Sequence, residues 1–208
     1  MKRRAVIVFA KAPVAGLAKT RLIPALGAAG AATLAERMLA HTAAAAAASE
    51  SDTVELCAAP DAEHPAFQTL ARTHALRLAV QGEGDLGQRM HRAFARVLGT
   101  HTHVVLIGTD APALDAACLA RAHAALDEHD AVFVPALDGG YALIGLRAPQ
   151  ASLFEGIAWS TAAVMSQTRE RLRAAKLRWE ELQPVADVDE PADLVHLPAG
   201  WLPAGSMK

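Results

Sequence analysis

The chain has 208 residues, 52% of them hydrophobic and 20% charged, with a formal net charge of −2. That is enough for one sizeable α/β core and short for two, and it excludes a disordered chain and a general attraction to nucleic acid or anionic membranes. Cys57 and Cys118 stand far apart with no Cys-x-x-Cys pair, which excludes a disulfide framework and a zinc knuckle.

Residues 5–10 (AVIVFA) form a short continuous apolar run, as expected of a strand covered on both faces. Met1-Lys-Arg-Arg has the basic character of a leader, but Lys11 ends the apolar stretch too early for one. The 43–48 alanine run is too short to span a bilayer, so a cytoplasmic protein without membrane contact is expected. The next segment, 11–21 (KAPVAGLAKTR), sets Lys11, Lys19 and Arg21 beside Pro13 and Gly16. Small residues let backbone N–H groups approach an anion, while lysine brings point charge and arginine a bidentate fork for phosphate oxygens. This is not a Walker A loop, because Pro13 and Ala18 stand where its glycines belong. Nor is it a dinucleotide fingerprint, because Gly16 is alone there.

Helical spacing then covers 31–49, with Leu34 and Met38 on one stripe, and apolar runs at 54–58 and 76–80 read as strands. Asp85 and Gln88 set a capping box for a helix over 86–98. Its Leu86, Met90, Ala93, Phe94 and Val97 share one face, and its Arg89, Arg92 and Arg96 form a stripe expected to be solvated. His101 and His103 are expected to be a solvated approach to the strand at 104–107 rather than a metal pair. Beyond that strand, Gly108-Thr-Asp110-Ala-Pro112 puts an acid at a strand's carboxyl end. Asp115 is better placed to cap the helix expected over 116–128, which frees Asp110 for chemistry.

Strands at 131–135 and 142–146 are joined by too few residues for a parallel crossover. The sheet is therefore expected to be mixed, though mainly parallel, with helices on both faces. Their connection carries Asp138-Gly139-Gly140-Tyr141, which serves a plain turn as well as a close approach to a ligand. Trp159-Ser160-Thr161 precedes a helix over 161–175 that Ser160 or Thr161 would cap. Asp187 and Asp189 share a face if extended, or else Asp189 or Glu190 supplies the N-terminal acid of a short final helix over 191–197. One domain over 1–197 and a loosely ordered tail over 198–208 are expected, and the alanine-rich helix with that tail offers a face for a homodimer.

These pieces have one economical use. A divalent ion such as Mg²⁺, or Mn²⁺ in its place, takes one or two carboxylates plus phosphate oxygens, and Asp110 with Asp189 would supply the carboxylates while Lys19 and Arg21 hold the phosphates. There is no Gly-x-Ser-x-Gly elbow, and phosphoryl or glycosyl-phosphate chemistry needs no dedicated nucleophile.

With those stretches in view, the chain resembles the GT-A-like (selenodomain-associated) transferases of the nucleotide-diphospho-sugar transferase superfamily. The matching segments are 9–22, 84–90, 108–112, 138–141, 159–161 and 187–194, in family order. The resemblance implies a Rossmann-like three-layer α/β/α sandwich of GT-A type. It implies that Lys11, Gly16, Lys19 and Arg21 line the nucleotide's phosphates and that Asp85 and Arg89 approach its base or ribose. Asp110 and Asp189 become the metal acids, with Lys19 and Asp110 as the catalytic pair. Asp138, Gly139, Gly140 and Tyr141, with Trp159, Ser160 and Thr161, would face an acceptor. Asp110 stands alone where glycosyltransferases often carry Asp-x-Asp, so nucleotidyl transfer to a phosphorylated acceptor is as consistent as glycosyl transfer from an NDP-sugar. A non-catalytic nucleotide-binding module on the same fold is the alternative, and a phosphohydrolase using Asp110, Asp187 and Asp189 is a third reading.

Overall fold

The computed structural model describes residues 2–202. Seven strands, β1 (Arg4–Lys11), β2 (Thr53–Ala59), β3 (Arg77–Val80), β4 (His103–Ile107), β5 (Ala131–Pro135), β6 (Tyr141–Leu146) and β7 (Trp179–Glu181), form one sheet in the order β3-β2-β1-β4-β6-β5-β7. The β1, β2, β3 and β4 pairings are parallel, β6 runs antiparallel to both β4 and β5, and β7 returns parallel to β5. The mixed sheet follows from the short 136–140 connection, which permits only a hairpin.

Period-two alternation along β1 sorts its side chains between two cores. Val6, Val8 and Ala10 face α1 (Ile23–Ala47), α2 (Pro65–His74) and α4 (Ala116–Ala125). Ala5, Ile7 and Phe9 face α3 (Leu86–Leu98) and α5 (Val164–Ala174). Helices thus cover both faces of the sheet in three layers, as the alternation of elements in the sequence predicted. Among the described residues no helix is long and apolar enough to cross a membrane.

Several expectations need correction. Helical residues begin at Ile23 rather than 31, because the first helical piece holds Pro24 and then breaks at Gly27, whose φ of 69° and ψ of 164° are not helical. α2 was not foreseen: it buries only Ala66 and Phe67, too few apolar residues for a visible period. β7 was not foreseen either, since a three-residue Trp-Glu-Glu edge strand carries no apolar run. The final helix is a 3₁₀ segment over Pro191–His196, and α5 starts at Val164, with Thr161 bonded to Ala158 and Ala163 in the loop before it. The arginine stripe is not a free solvated face. Arg92 donates to the carbonyls of Gln81 and Glu83, and Arg96 pairs with the buried Glu55 on β2. His101 and His103 are buried, bonding Thr53 and the Leu126 carbonyl. In the segment read as a loose tail, Trp201 packs edge-on to His41 while Arg37 lies 5.1 Å over its ring; residues 203–208 lie outside the described part.

β1 and β4 are neighbours whose onward connections leave on opposite sides, to β2 and, past the position of β6, to β5. Ligands of open α/β sheets bind at such a reversal, beyond the carboxyl ends of the strands. Both the 11–21 loop and the 108–112 turn emerge there.

Candidate active site

At that edge lies a cavity of about 660 Å³. β1 delivers Lys11 to it, and the loop beyond delivers Lys19 and Arg21. Lys19 has φ 47° and ψ 46°, in the left-handed region, and precedes a 3₁₀ turn over Thr20–Leu22. β4 delivers Asp110, which no helix claims, because Asp115 accepts from Cys118 N at 2.7 Å and caps α4. The acidic segment arrives from the far end of the chain. Val188 N donates to the Asp110 carbonyl at 2.8 Å, and Val188 itself is fully buried.

The final 3₁₀ segment does not consume Asp189. Its capping box is made by Glu190 and Asp193, which leaves the Asp189 carboxylate to the cations. Lys19 Nζ stands 2.6 Å from Asp110 Oδ1 and 3.7 Å from Asp189 Oδ1, and Arg21 Nη1 donates to Asp189 Oδ2 at 2.8 Å. Residues from positions 19–21, 110 and 187–189 therefore meet at one point.

A further part of the wall comes from the hairpin turn and the loop before α5. Asp138 Oδ1 accepts from Gly140 N at 2.8 Å and shapes the turn. Gly139, at φ +94°, lies so close to this loop that a Cβ would meet Ala162 O at 2.4 Å, and its own carbonyl accepts from Met165 N. Trp159, Ser160, Thr161 and Tyr141 line the cavity, and Ser160 is left-handed at φ 61°. The other left-handed non-glycine residues, Ala75 and Lys176, close helices, where that conformation is routine. Lys19 and Ser160 do not, and both line the cavity; strain of this kind gathers at functional sites. The Tyr141 hydroxyl is buried without a hydrogen-bond partner among the described residues, and burial pushes its phenol pKa up.

Three of the residues named from sequence stand off the cavity wall. Gly16 turns the loop at φ +82° without lining the cavity, Gly139 lies behind the wall, and Asp85 caps α3 by accepting from Gln88 N at 2.8 Å. Arg89 does line it, with Nε on the Gly84 carbonyl. Sequence reasoning missed Gln81, a lining residue whose buried amide bonds the carbonyls of Ala10 and Cys57. The signal available was a polar residue directly after the third apolar run.

The site's charges balance, with Lys11, Lys19, Arg21 and Arg89 set against Asp110, Asp138, Asp187 and Asp189. Burial, helped by the neighbouring Asp138, Asp193 and Asp110, pushes the Asp187 carboxyl above the ordinary carboxylate range. All the acids offer hard oxygen donors, which suit Mg²⁺ or Mn²⁺. Among the described residues no three or more His, Cys, Asp or Glu side chains are grouped to hold a metal ion by themselves. The two carboxylates that meet at Lys19, Asp110 and Asp189, fit an ion that takes one or two acids and completes its coordination with phosphate oxygens.

A family model described as an uncharacterized protein conserved in bacteria, DUF2064, matches residues 28–161. The chain belongs to this family. The match takes in Asp110, the 138–141 turn and the 159–161 loop, but not the cationic loop or the 187–189 segment. The chain is also similar to a crystal structure from Desulfovibrio desulfuricans G20, with 32% identity, a TM-score of 0.85 and coverage of 93% of this chain and 85% of that one. That protein's assignment is a provisional one, as a nucleotide-diphospho-sugar transferase. Glucosyl-3-phosphoglycerate synthase from Mycobacterium tuberculosis, in complex with Mn²⁺, UDP and its product, is 10% identical, with a TM-score of 0.58 over 93% of this chain and 75% of that one. CMP:2-keto-3-deoxy-manno-octonic acid synthetase complexed with CTP is 10% identical, with a TM-score of 0.57 over 93% and 96% of the two chains. At such identity these two show the fold alone: the chain has the GT-A-like α/β/α sandwich that glycosyl- and nucleotidyltransferases share. No curated protein matches the chain.

Proposed function

We propose that this protein is a divalent-metal-dependent transferase acting on a nucleotide or nucleotide-sugar, moving a nucleotidyl group to a phosphorylated acceptor or a glycosyl group from an NDP-sugar. The observation that carries the reading is the meeting of Lys19 and Arg21 with Asp110 and Asp189 at the carboxyl edge of β1 and β4, within a cavity large enough for a nucleotide diphosphate. The assignment of the Desulfovibrio protein supports the same class, and the two more distant structures agree in fold.

On this reading Asp110 and Asp189 hold the metal, with Asp187 beside them in the same wall. Bound there, Mg²⁺ or Mn²⁺ neutralises phosphate charge and polarises the phosphorus or anomeric centre. The chain's own residues do the rest. Lys11, Lys19 and Arg21 orient the phosphates and offset charge on the departing pyrophosphate or nucleoside diphosphate. Gln81 and Arg89 border the end of the cavity nearest β3 and α3, where a base or ribose fits. Asp138, Tyr141 and the 159–161 loop border the part of the cavity beside the β5–β6 turn, where the acceptor would enter, and Trp159 reaches the start of α3 at Gly87. Both groups line one cleft, so transfer is in reach without a covalent intermediate on the protein.

The test is a panel of nucleoside triphosphates and NDP-sugars, assayed for heat of binding with and without Mg²⁺ or Mn²⁺ and for product with phosphorylated and unphosphorylated acceptors. Metal-strengthened binding of at least one nucleotide, with turnover, is the expected result. Tight binding with no turnover across the panel would favour the non-catalytic module. Phosphate release without an acceptor would favour hydrolysis.

A further inference from the structure

Lys19 is the most enclosed charge at the meeting point. Its side chain is 7% exposed, against 53% for Asp110, 39% for Asp189 and 58% for Arg21. The ammonium is held from three directions: Asp110 Oδ1 at 2.6 Å, the Val188 carbonyl at 2.5 Å and Asp189 Oδ1 at 3.7 Å. An ammonium has three N–H donors. Two are already spent on Asp110 and Val188, and the third faces Asp189. At 3.7 Å that last contact is an ion pair rather than a hydrogen bond, and in this arrangement the ammonium is committed chiefly to the acids.

The backbone is part of the device. A lysine in the left-handed region carries a steric cost that a glycine would not, and here no helix end accounts for it. The conformation aims the side chain inward, between two carboxylates that would otherwise repel each other. Lys19 therefore does, in the ligand-free protein, what a metal ion would do at the same oxygens. A dication and an ammonium a few ångströms apart repel strongly in a partly buried cleft, so the same carboxylates do not hold both at full strength.

We infer that the Lys19 ammonium and a divalent metal ion are alternative occupants of the space between Asp110 and Asp189. This rests on the metal-dependent reading above. Lysine holds the acids until a metal-bound polyphosphate arrives. Asp110 and Asp189 would then hold the ion, and the Lys19 ammonium, released on its flexible four-carbon stem, would turn to the phosphates. Metal capture and phosphate clamping become one exchange. Metal alone, bringing no phosphate to receive the lysine, binds weakly.

Mn²⁺ titration of the full chain without nucleotide, followed by the paramagnetic resonance of the free ion, tests this directly. Lys19→Met keeps the length of the side chain and removes its charge. It should bind Mn²⁺ roughly tenfold or more tightly than the unaltered protein, within the usual range of coupling between two ligands. Equal or weaker binding by Lys19→Met overturns the inference and makes Lys19 a fixed staple of the acid pair. Thermal unfolding without metal establishes that the variant is folded. A second measurement uses the unaltered protein alone: acetylation of Lys19, read by peptide mass spectrometry, should be slow without metal and faster at saturating Mn²⁺. Unchanged labelling overturns the exchange as well. Neither measurement involves a nucleotide, so failure of the functional reading, seen as no nucleotide binding under any metal condition, is distinguishable from failure of the exchange.

Discussion

Arg21 Nη1 meets Asp189 Oδ2 at 2.8 Å across 168 residues of sequence. Both side chains are substantially exposed, at 58% and 39%, and exposed ion pairs contribute little to stability, typically below about 1 kcal/mol. The pair's value lies in fixing where the acidic segment stands relative to the cationic loop.

Arg21→Ala should therefore leave stability within about 1 kcal/mol of the parent while weakening nucleotide binding. Loss of one or two charge-assisted contacts to phosphate, each worth about 1.5–3 kcal/mol, corresponds to roughly tenfold or more in affinity. Urea unfolding and calorimetric nucleotide titration separate the two effects. A large stability loss with unchanged affinity would make the pair architectural.

Asp85 offers a cleaner division between structure and binding. Its carboxylate caps α3 from a position outside the cavity lining, although the family resemblance implies contact with base or ribose. Asp85→Ala should cost about 1 kcal/mol, lowering the melting temperature by about 2–4 °C for a chain of this size. Asp85→Asn, which still caps, should not. Nucleotide affinity should stay within about twofold in both, since a cap acts locally on the helix start. A larger fall in Asp85→Asn would give the carboxylate a second role at the ligand.

What the sequence made legible, and what it hid, follows from the range of each signal. The capping box of Asp85 and Gln88 and the Asp115 cap are contacts between residues three apart, and both formed as expected. The hairpin at 136–140 was forced by a count of residues. The meeting of Lys19 with Asp110 was inferable from strand-end geometry, whereas Asp189 joined them only through the metal-and-phosphate reading and the family resemblance; the direction of the Lys19 side chain was not inferable, because it depends on a left-handed backbone that a lysine rarely adopts. The arginine stripe misled for a related reason. Arg92 and Arg96 sit at solvent-face spacing, and only the position of the β2 and β3 ends shows that carbonyls and the buried Glu55 receive them. Asp187 and Asp189 look alike in sequence, yet Arg21 and Lys19 pair with Asp189 whereas Asp187 is left among other acids.

Gly87 illustrates a residue whose reason lies wholly in tertiary contact. It sits in the first turn of α3, where glycine is a poor helix former, and it is buried. A Cβ there would meet the Phe154 carbonyl at 2.5 Å and Trp159 Cζ2 at 2.7 Å. Gly87→Ala would gain about 1 kcal/mol of helix propensity but must push Trp159 out of the cavity wall. The expected outcome is a change at the acceptor end, with KM for the acceptor raised several-fold and nucleotide affinity nearly kept. Trp159 fluorescence, shifted in the variant before any ligand is added, reports the displacement. An unshifted spectrum with unchanged acceptor KM would show that the loop yields freely.

The far end of the sheet governs how stability responds to acid. His123 on α4 is 1% exposed, with Nε2 3.0 Å from Ser51 Oγ and Nδ1 buried without a hydrogen-bond partner among the described residues. Burial above all, then the positive charges of Arg4 and His103, pushes its pKa down to about 4. Burial likewise pushes His103 down, against the pull of Asp127. An unfolded histidine takes up its proton near pH 6.5. As pH falls from about 6.5 toward 4, the unfolded chain therefore binds a proton at His123 that the folded chain refuses, and folding stability drops by up to about 1.4 kcal/mol per pH unit on its account, with His103 adding in the same direction. Asp52 and Asp127 have carboxyl pKa values held low, by the Arg4 backbone N–H and by Lys2 respectively. Their contribution is lost only at still lower pH, below the ordinary carboxylate range, so the windows are separable. Urea unfolding at pH 7.5, 6 and 5 should show a steady decline, and His123→Leu, which removes the titrating ring but fills the same space, should flatten it. A slope unchanged in that variant would assign the acid sensitivity to His103.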